Sequence, residues 1–386
     1  METAKDRVKR AYDADQANPK KAVKLGDVPT RYELITPEWL SAILCKDARD
    51  AKVTGFELGP KNDGSSNRRR ISITYNAAGS AAGLPSSVFC KAAESMGNRV
   101  ILGPTGTAQG EVDFFGKVRS RLDIEAPVGL YGAFDPETFN YIVMMHDLTG
   151  KATFFDDHTT VLSRDQAEQM VRLLARLHAR FYESADIGTP ALPYLTWPDW
   201  WTRMMQVSPD FGTSCDRGFA AAESVLPARL FARAKEIWPL TTESVERHRK
   251  LPKTINHCDV HLKNWYVTNE GKMGLADWQI VTIGHWSRDL IYALSTSLTV
   301  ENRRAWLDDL IRIYLDESAS LGMPRTSFDE AMLLCRQQTM SALAFWTITL
   351  CPADGMPAMQ PEGLTFEWLK RIGALMDDLD AVDSFS

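Results

Sequence analysis

The sequence has little of what marks secreted, membrane-bound or zinc-stabilised proteins. Its six cysteines include no Cys-x-x-Cys pair, which indicates free thiols in a reducing compartment. No run approaches the ~18 uninterrupted apolar residues of a membrane span, so no membrane association is expected. Residues 1–30 mix acidic and basic side chains without an apolar segment, which argues against a secretory signal. The expected location is the cytoplasm.

The sequence also lacks an excess of basic residues and a nucleotide-binding P-loop. Its 44 Lys and Arg against 50 Asp and Glu give a formal net charge of −6, so nucleic acid is not an expected partner. No G-x-x-x-x-G-K-[ST] pattern occurs, which excludes a P-loop NTPase. The glycine cluster at 103–106 has no such lysine and is interpreted as a connector before a helix.

The chain is long enough for two domains. Its 386 residues exceed the usual size of a single core, and two lobes of unequal size are expected. We place a nucleotide-binding domain at 1–147 and a catalytic and acceptor-binding domain at 148–386. The second domain includes an insertion rich in Pro and Trp at about 186–252.

The first domain is predicted to be a small α+β unit. Its β-rich runs are bounded by turn residues, and the spacing of Val112, Phe115 and Val118 predicts a helix over 110–121. The five predicted strands are 52–58, 71–75, 87–91, 127–133 and 140–145.

The second domain is predicted to be mainly helical. Ser163-Arg164-Asp165-Gln166 is a capping-box pattern, and it begins a long amphipathic helix over 163–183. Two apolar triplets, 265–267 and 273–275, flank a turn-prone stretch and predict a hairpin. Further helices are predicted near 286–298, 303–319, 327–350 and 363–380.

One segment carries most of the chemical information. Residues 257–264 read His-Cys-Asp-Val-His-Leu-Lys-Asn, and Asp277 follows Asp259 by 18 positions. An acid, an Asn five positions later and a second acid beyond a hairpin are the residue types of metal-assisted phosphoryl transfer. Asp259 can serve as the base that meets an acceptor hydroxyl. Asn264 and Asp277 can hold Mg²⁺ against the phosphates of a nucleotide.

The same segment contains residue types that bind zinc. His257, Cys258 and His261 are close in sequence, but their spacing matches no usual zinc site. Phosphoryl transfer accounts for these residues better, and we interpret the segment as a catalytic loop.

A polar, turn-forming segment at 61–67 separates the first two predicted strands. Backbone N–H groups of such a turn can bind phosphate oxygens, although the segment lacks the full G-x-G-x-x-G pattern. Arg68–Arg70 are interpreted as leading into the second strand, and a phosphate contact is the alternative. The predicted nucleotide contacts of the segment are Gly64, Ser65, Ser66 and Asn67.

Several features occur in a fixed order along the chain. They are Lys91 at a strand end, Glu111 at a helix start, a possible hinge at 146–148, the 163–183 helix, the 257–264 loop and Asp277. This order resembles the aminoglycoside phosphotransferase and choline kinase-like superfamily, which shares the protein-kinase fold. It is most similar to the ecdysteroid kinase-like branch. The resemblance implies an α+β, bilobal fold with a small five-stranded N-terminal lobe and a larger, mainly helical C-terminal lobe.

The resemblance also implies roles for individual residues. Lys91 is expected to bind the α- and β-phosphates, with Glu111 as its ion-pair partner and Glu94 as the alternative. The hinge strand is expected to bind adenine through its backbone, and Asp147 is an open candidate for a ribose contact. The predicted hinge contacts are Met145, His146, Asp147 and Leu148.

Three further residues are expected to support the catalytic loop without doing chemistry. The resemblance assigns His257 and Asp289 to the geometry of this loop, and His178 is expected to bridge its helix to the loop as a buried imidazole. Cys258 departs from the family pattern, because a glycine is common at that position. The cysteine is expected to tighten the loop or alter the clearance for substrate.

The acceptor is expected to be a small molecule. Only a short stretch separates Asp277 from the next predicted helix, too short for the activation segment of a protein kinase. Tryptophans of the second domain suit either an aromatic acceptor pocket or helix packing, and the acidic residues there do not cluster. The predicted function is an ATP- and Mg²⁺-dependent kinase that phosphorylates a hydroxyl of a neutral, largely apolar alcohol. The alternatives are an aminoglycoside or choline/amino-alcohol phosphotransferase and a catalytically silent nucleotide-binding protein, and GTP is an alternative to ATP.

Overall fold

The computed structural model describes residues 3–354, 356 and 359–386. The chain forms two compact units. Unit 1 contains the chain through Arg121 together with Pro127–Thr149, and unit 2 contains Leu122–Ala126 and Gly150–Ser386. The short segment belongs to unit 2 because Glu125 accepts hydrogen bonds there, from the Tyr266 hydroxyl at 2.8 Å and the Leu275 N–H at 3.1 Å. The nucleotide-binding and catalytic roles of the predicted domains stay predictions.

One antiparallel sheet dominates the described part of unit 1. Its strands are β1 (Val53–Leu58), β2 (Asn62–Asp63), β3 (Asn67–Tyr75), β4 (Ser87–Ala92), β5 (Gly129–Phe134) and β6 (Tyr141–His146). The order is β1-β3-β4-β6-β5, and β2 pairs with β3. All five predicted strands are present. The additional strand β2 forms because β3 begins earlier than predicted, at Asn67, and the 61–67 segment folds back on it.

The helices of unit 1 pack on the two faces of this sheet. Ile71 and Ile73 of β3 lie on the face where Trp39 is buried, and Val143 and Met145 of β6 lie on the other. The predicted 110–121 helix begins earlier, at Thr107. It continues as a π-helical turn over Phe114–Val118 and a 3-10 turn over Arg119–Arg121. The 103–106 cluster is the predicted connector. The helices are α1 (Ala4–Ala17), α2 (Pro37–Leu44), α3 (Ala77–Ala81), α4 (Met96–Leu102) and α5 (Thr107–Asp113).

Unit 2 is mainly helical, as predicted. Its helices are α6 (Arg164–Phe181), α7 (Trp197–Val207), α8 (Phe211–Ala221), α9 (Ala228–Phe231), α10 (Ala234–His248), α11 (Trp286–Ser297), α12 (Val300–Ser320), α13 (Phe328–Leu350) and α14 (Glu362–Asp378). The capping box at Ser163 is present, because its side chain accepts from the Gln166 N–H and Gln166 accepts from the Ser163 N–H. No helix in the described ranges is long and apolar enough to cross a bilayer.

Short strands of unit 2 hold the catalytic segment. They are β7 (Ala152–Phe154), β8 (Thr254–Asn256), β9 (Trp265–Thr268), β10 (Met273–Leu275) and β11 (Thr282–Gly284). The β9–β10 hairpin confirms the prediction, with Leu275 opposite Trp265. The β8–β11 pair was not predicted, since three-residue strands carry too little sequence pattern to be recognised.

The tryptophans of the 186–252 region pack against one another. Trp197, Trp200 and Trp201 of α7 are buried. Trp197 stacks on Trp200 with ring centroids 5.4 Å apart, and Phe345 of α13 meets the Trp197 ring edge-on at 5.7 Å. These rings form a core between α7 and α13, which corresponds to the packing alternative stated from the sequence.

Candidate active site

The catalytic loop, residues 257–264, connects β8 with β9. It starts next to Asn256, which pairs with Thr282 of β11, and ends in a 3-10 turn over Leu262–Asn264. Cys258 has a φ of +68°, in the left-handed region that a residue with a Cβ enters only at a cost. Cys258 is buried, and the Asp259 side chain that follows it keeps 18% exposure.

Side chains on several elements fix the Asp259 carboxylate. Asn264 Nδ2 donates to the Asp259 carbonyl at 2.6 Å and to Oδ2 at 3.2 Å. The Tyr292 hydroxyl donates to Oδ1 at 3.3 Å, and it accepts from Trp346 Nε1 at 2.9 Å. His261 Nε2 lies 3.6 Å from Oδ2. The carboxylate is therefore held in one orientation while part of it stays accessible.

The pKa of the Asp259 carboxyl lies below its ordinary value. Burial raises this pKa, but the neighbouring imidazole of His261 lowers it more, against an opposing contribution from the charge of Asp277. The carboxylate is thus ionised at neutral pH, as a proton acceptor must be.

His257 joins Asp259 to the residue before Asp277. Its Nδ1 accepts from the Asp259 N–H at 3.2 Å, and its Nε2 lies 2.9 Å from the Ala276 carbonyl. These partners assign the proton to Nε2. Burial lowers the pKa of His257, which keeps the ring neutral. The Ala276 N–H also donates to the Asn264 carbonyl at 2.8 Å, so the two predicted metal-binding positions share a backbone connection.

Asn264 and Asp277 lie at the two ends of the β9–β10 hairpin. Because Asn264 Nδ2 faces Asp259, its Oδ1 is the amide atom that can meet a cation. One carboxylate and one amide oxygen suit Mg²⁺, which keeps several waters and takes phosphate oxygens as ligands. Over residues 3–354, 356 and 359–386, no group of three or more His, Cys, Asp or Glu side chains could hold a metal ion. The donor set therefore fits a magnesium ion shared with phosphate, not a complete protein cage.

Asp289 of α11 holds the backbone at the start of the catalytic loop. Its carboxylate accepts from the His257 N–H at 2.6 Å and from the Cys258 N–H at 3.0 Å. His178 Nε2 lies 3.4 Å from the same carboxylate, and His178 Nδ1 lies 2.8 Å from the Tyr314 hydroxyl. The structure thus brings His257, His178 and Asp289 together beneath the loop.

Arg288 is an additional contact of this loop that the sequence did not reveal. Its Nη1 donates to the Cys258 carbonyl at 3.0 Å, so Arg288 and Asp289 bind the C=O and N–H of the same left-handed residue. Its buried guanidinium lies 3.7 Å from the centroid of the Trp197 ring. These contacts and the 2.9 Å contact of Cys258 Sγ with Thr282 Oγ1 describe how a non-glycine residue is held in this conformation.

In unit 1, Lys91 forms a buried ion pair with Glu111. Lys91 Nζ lies 2.6 Å from Glu111 Oε1, and the side chains are 4% and 1% exposed. Glu94, the alternative partner, accepts from the Tyr32 N–H at 2.7 Å and lies 3.9 Å from Lys61. The ion pair implied by the resemblance is therefore made with Glu111.

The predicted adenine-binding segment begins at the end of β6. Lys91 of β4 lies opposite Val143 of β6, and opposite residues of an antiparallel pair share a face. Met145, two positions further on, is on that same face. His146 is the last residue of the strand, and Leu148 follows it. The adenine contacts themselves stay predictions.

The Asp147 carboxylate is occupied within unit 1. Its Oδ1 accepts from the Thr149 N–H at 3.0 Å and from the Thr149 hydroxyl at 2.7 Å. Its Oδ2 accepts from the Ser87 hydroxyl at 2.8 Å and lies 2.9 Å from Arg70 Nε. Four contacts account for the acceptor sites of a carboxylate. The geometry therefore favours a structural role for Asp147 over a ribose contact.

The predicted phosphate loop is the tip of the β2–β3 hairpin. The Gly64 N–H donates to the Ser66 carbonyl at 3.0 Å. Asn98 Nδ2 donates to the carbonyls of Gly64 at 2.8 Å and Ser65 at 2.7 Å. Ser66 and Asn67 are buried, so their side chains are part of the hairpin. Gly64 and Ser65 are partly exposed and remain the candidates for a phosphate contact.

Tyr292, which donates to Asp259, and Trp346, which donates to Tyr292, are residues around the candidate base that sequence reasoning missed. Tyr292 follows Asp289 by three positions on α11, and residues at that spacing share a helix face, which is a usable signal. Trp346 lies on α13, and nothing local relates it to the catalytic loop.

Comparison with known proteins agrees with the fold. Residues 104–327 match the model of the phosphotransferase enzyme family, APH. The chain is similar to a candidate aminoglycoside phosphotransferase from Ralstonia eutropha JMP134, with 12% identity, 89% of this chain and 97% of that chain covered, and a TM-score of 0.53. It is also similar to the microcompartment-associated aminopropanol kinase, with 14% identity, 88% and 95% coverage, and a TM-score of 0.50. No curated protein sequence matches the chain.

At such low sequence identity, the similarity to these structures shows the fold alone. It confirms the α+β, protein kinase-like fold expected from the sequence. The superfamily expected from the sequence is also confirmed, while the ecdysteroid kinase-like branch stays a prediction. The family model spans more than half of the chain and includes the whole catalytic loop and Asp277. The chain belongs to the phosphotransferase enzyme family, and it is a phosphotransferase.

Proposed function

We propose that the protein transfers the γ-phosphoryl group of ATP, with Mg²⁺, to a hydroxyl of a small, neutral and largely apolar alcohol. The observation that carries this proposal is the Asp259 carboxylate, which is ionised, partly exposed and oriented by Asn264 and Tyr292. A fixed carboxylate of this kind suits an acceptor hydroxyl that must be positioned and deprotonated as the phosphoryl group leaves ATP.

The principal predicted site residues have distinct roles in this reaction. Asp259 orients the acceptor hydroxyl and takes its proton, and Asn264 and Asp277 hold the metal. Bound Mg²⁺ would neutralise charge on the phosphate oxygens. In unit 1, Lys91 binds phosphate while its ion pair with Glu111 fixes the ammonium. The backbone of 145–148 binds adenine, and the hydrogen bonds of the Asp147 carboxylate stabilise the conformation of that segment.

The surroundings of Asp259 support an apolar acceptor. Asp259 contacts the hydroxyl of Tyr292 and a ring nitrogen of His261, two aromatic side chains, and Trp346 meets the His261 ring edge-on at 5.3 Å. A polycationic acceptor calls for acidic side chains that are available to it. Asp199, in contrast, lies 2.8 Å from Arg249. Asp309 likewise lies 3.4 Å from Arg164.

The alternatives are different acceptors or no transfer at all. The structural neighbours include an aminopropanol kinase, so an amino alcohol or an aminoglycoside is the second candidate. A catalytically silent nucleotide-binding protein is the third. GTP is the alternative donor, because the hinge would recognise the base through backbone groups.

A transfer assay with γ-labelled ATP and Mg²⁺ distinguishes these candidates. The panel contains steroids, terpenoids, aryl alcohols, amino alcohols and aminoglycosides, with GTP in a parallel series. We expect label on an apolar alcohol, and Asp259→Asn should reduce the rate about a hundredfold or more while ATP binding persists. Label only on amino alcohols or aminoglycosides supports the second candidate. ATP binding without transfer to any acceptor supports the silent protein.

A further inference from the structure

Three consecutive arginines of β3 differ in what they contact. Arg69 Nη2 lies 3.0 Å from Glu33 Oε1, and Arg70 Nε lies 2.9 Å from Asp147 Oδ2. Within the described ranges, the Arg68 side chain makes neither a hydrogen bond nor an ion pair, and its Nε, like that of Arg69, is buried without a partner. Buried donors normally have partners, so an unmatched guanidinium next to two matched ones indicates an interaction with something outside the chain.

The register of the sheet places Arg68 beside Lys91. The two residues lie directly opposite each other in the β3–β4 pair, and opposite residues of an antiparallel pair project from the same face. Like charges in that arrangement repel one another. Glu111 neutralises Lys91 at 2.6 Å, which leaves the charge of Arg68 uncompensated by any ion pair. This face of the sheet therefore carries a local excess of positive charge.

The guanidinium of Arg68 also lies against the β2–β3 hairpin. A Cβ built on Gly64 would be 2.6 Å from Arg68 Nη2, so the charged group is next to the hairpin backbone. Asn98 binds the Gly64 and Ser65 carbonyls and fixes this tip. Arg68 thus lies near both parts of unit 1 for which a phosphate contact is proposed, the hairpin tip and Lys91.

We propose that Arg68 is a phosphate-binding residue, whose guanidinium donates to phosphate oxygens of the nucleoside di- or triphosphate that Lys91 binds. This inference rests on the proposed function. The planar guanidinium presents paired N–H donors that match phosphate oxygens, and it stays charged at any working pH. A bound phosphate supplies both the missing hydrogen-bond acceptor and the missing negative charge. Sequence alone could not separate Arg68 from Arg69 and Arg70.

Binding measurements on the full chain test this role. Dissociation constants for ATP, ADP and adenosine, each with Mg²⁺, are compared for the wild type, Arg68→Met and Arg68→Lys. Lys52→Met is the matched control, because it removes one positive charge from an exposed position of the same unit. Thermal unfolding of each variant shows whether it is folded.

We expect Arg68→Met to weaken the binding of ATP and ADP about tenfold to a hundredfold, which is the range for a lost hydrogen bond to a charged group. The dissociation constant of adenosine should stay unchanged. Arg68→Lys should recover part of the lost affinity, because lysine keeps the positive charge but lacks the paired N–H donors of the guanidinium. Lys52→Met should match the wild type.

If Arg68→Met weakens the binding of ATP and adenosine equally, or loses no more ATP affinity than Lys52→Met, the assignment of Arg68 is overturned. The proposed function then still stands. A wild-type protein that binds no nucleotide overturns both. The two failures are therefore distinguishable.

Discussion

The Asn264 amide donates to both the backbone carbonyl and the carboxylate of Asp259, at 2.6 and 3.2 Å. One side chain thus orients the proposed base and leaves its own Oδ1 as the amide atom available to the proposed cation. The proposed base and the proposed metal ligand are coupled through a single amide group, and their effects on activity should be inseparable.

Replacing Asn264 with Ala tests this coupling. The change removes two hydrogen bonds to Asp259 and one proposed metal ligand. A charge-assisted hydrogen bond contributes roughly 1.5–3 kcal/mol, so we expect the turnover number to fall at least tenfold. The Mg²⁺ concentration for half-maximal rate should rise. Rates are measured across a Mg²⁺ titration, with Asn269→Ala, an exposed residue of the same hairpin, as the control. An unchanged Mg²⁺ dependence in Asn264→Ala would contradict the proposed ligand.

Replacing Tyr292 with Phe tests whether the Tyr292 hydroxyl positions the Asp259 carboxylate. The change removes the donor to Asp259 Oδ1 and leaves Trp346 Nε1 without its acceptor. We expect a loss of about 1–3 kcal/mol of stability, and up to a tenfold lower turnover number with an unchanged KM for ATP. The control is Tyr75→Phe, which loses a hydroxyl that donates to the Pro85 carbonyl. If both variants lower the turnover number equally, Tyr292 does not position the base.

The backbone of Cys258 gives a prediction about stability. At a φ of +68° the backbone of a residue with a Cβ is strained, whereas glycine adopts this conformation without strain. Cys258→Gly and Cys258→Ala both lose the contact of the thiol with Thr282, but only the alanine keeps the strain. We therefore expect the glycine variant to be about 1 kcal/mol more stable than the alanine variant in urea unfolding. An alanine variant at least as stable as the glycine variant would show that the conformation costs little here.

His248 gives a prediction about pH. Its Nε2 accepts from the His285 N–H at 2.7 Å, and its Nδ1 lies 2.8 Å from Gln338 Oε1, so the neutral ring uses both nitrogens. Burial lowers the pKa of His248 to about 4 from an ordinary value of 6.5. Between these values the unfolded chain binds the proton more readily than the folded protein. The stabilisation is complete above pH 6.5 and is lost as the pH falls towards 4.

The free energy of unfolding should therefore decrease by about 3 kcal/mol across that window on account of His248 alone. His248→Gln cannot titrate, and its stability should depend less steeply on pH. Urea unfolding at pH 7, 6 and 5 gives both slopes. Identical slopes for the wild type and the variant would show that His248 does not titrate in this range.

Local sequence pattern predicted the larger elements well. The capping box at Ser163 and the β9–β10 hairpin depend on neighbouring residues, which a sequence displays directly. The β8–β11 pair depends on contacts between distant three-residue segments, and it was missed. Strand β2 was missed for a similar reason, since its two residues become a strand only because β3 extends to meet them.

The candidate site was predictable where its residues form one motif. Asp259, Asn264 and Asp277 are connected by a short loop and a hairpin, so their spacing alone suggested proximity. Trp346 contacts the site from a separate helix, and no spacing in the sequence indicates this. The alternation of a strand predicts that Arg68 and Arg69 face opposite sides, but the side that carries Lys91 depends on strand register.

The neutral ring of His257 has a further consequence. It connects the Asp259 N–H to the Ala276 carbonyl, immediately before Asp277, so the proposed base and the proposed metal-binding acid belong to one hydrogen-bonded frame. A frame of this kind tolerates little internal adjustment. A change of acceptor preference is therefore expected to require substitutions outside the frame, in helices such as α7–α10 and α13.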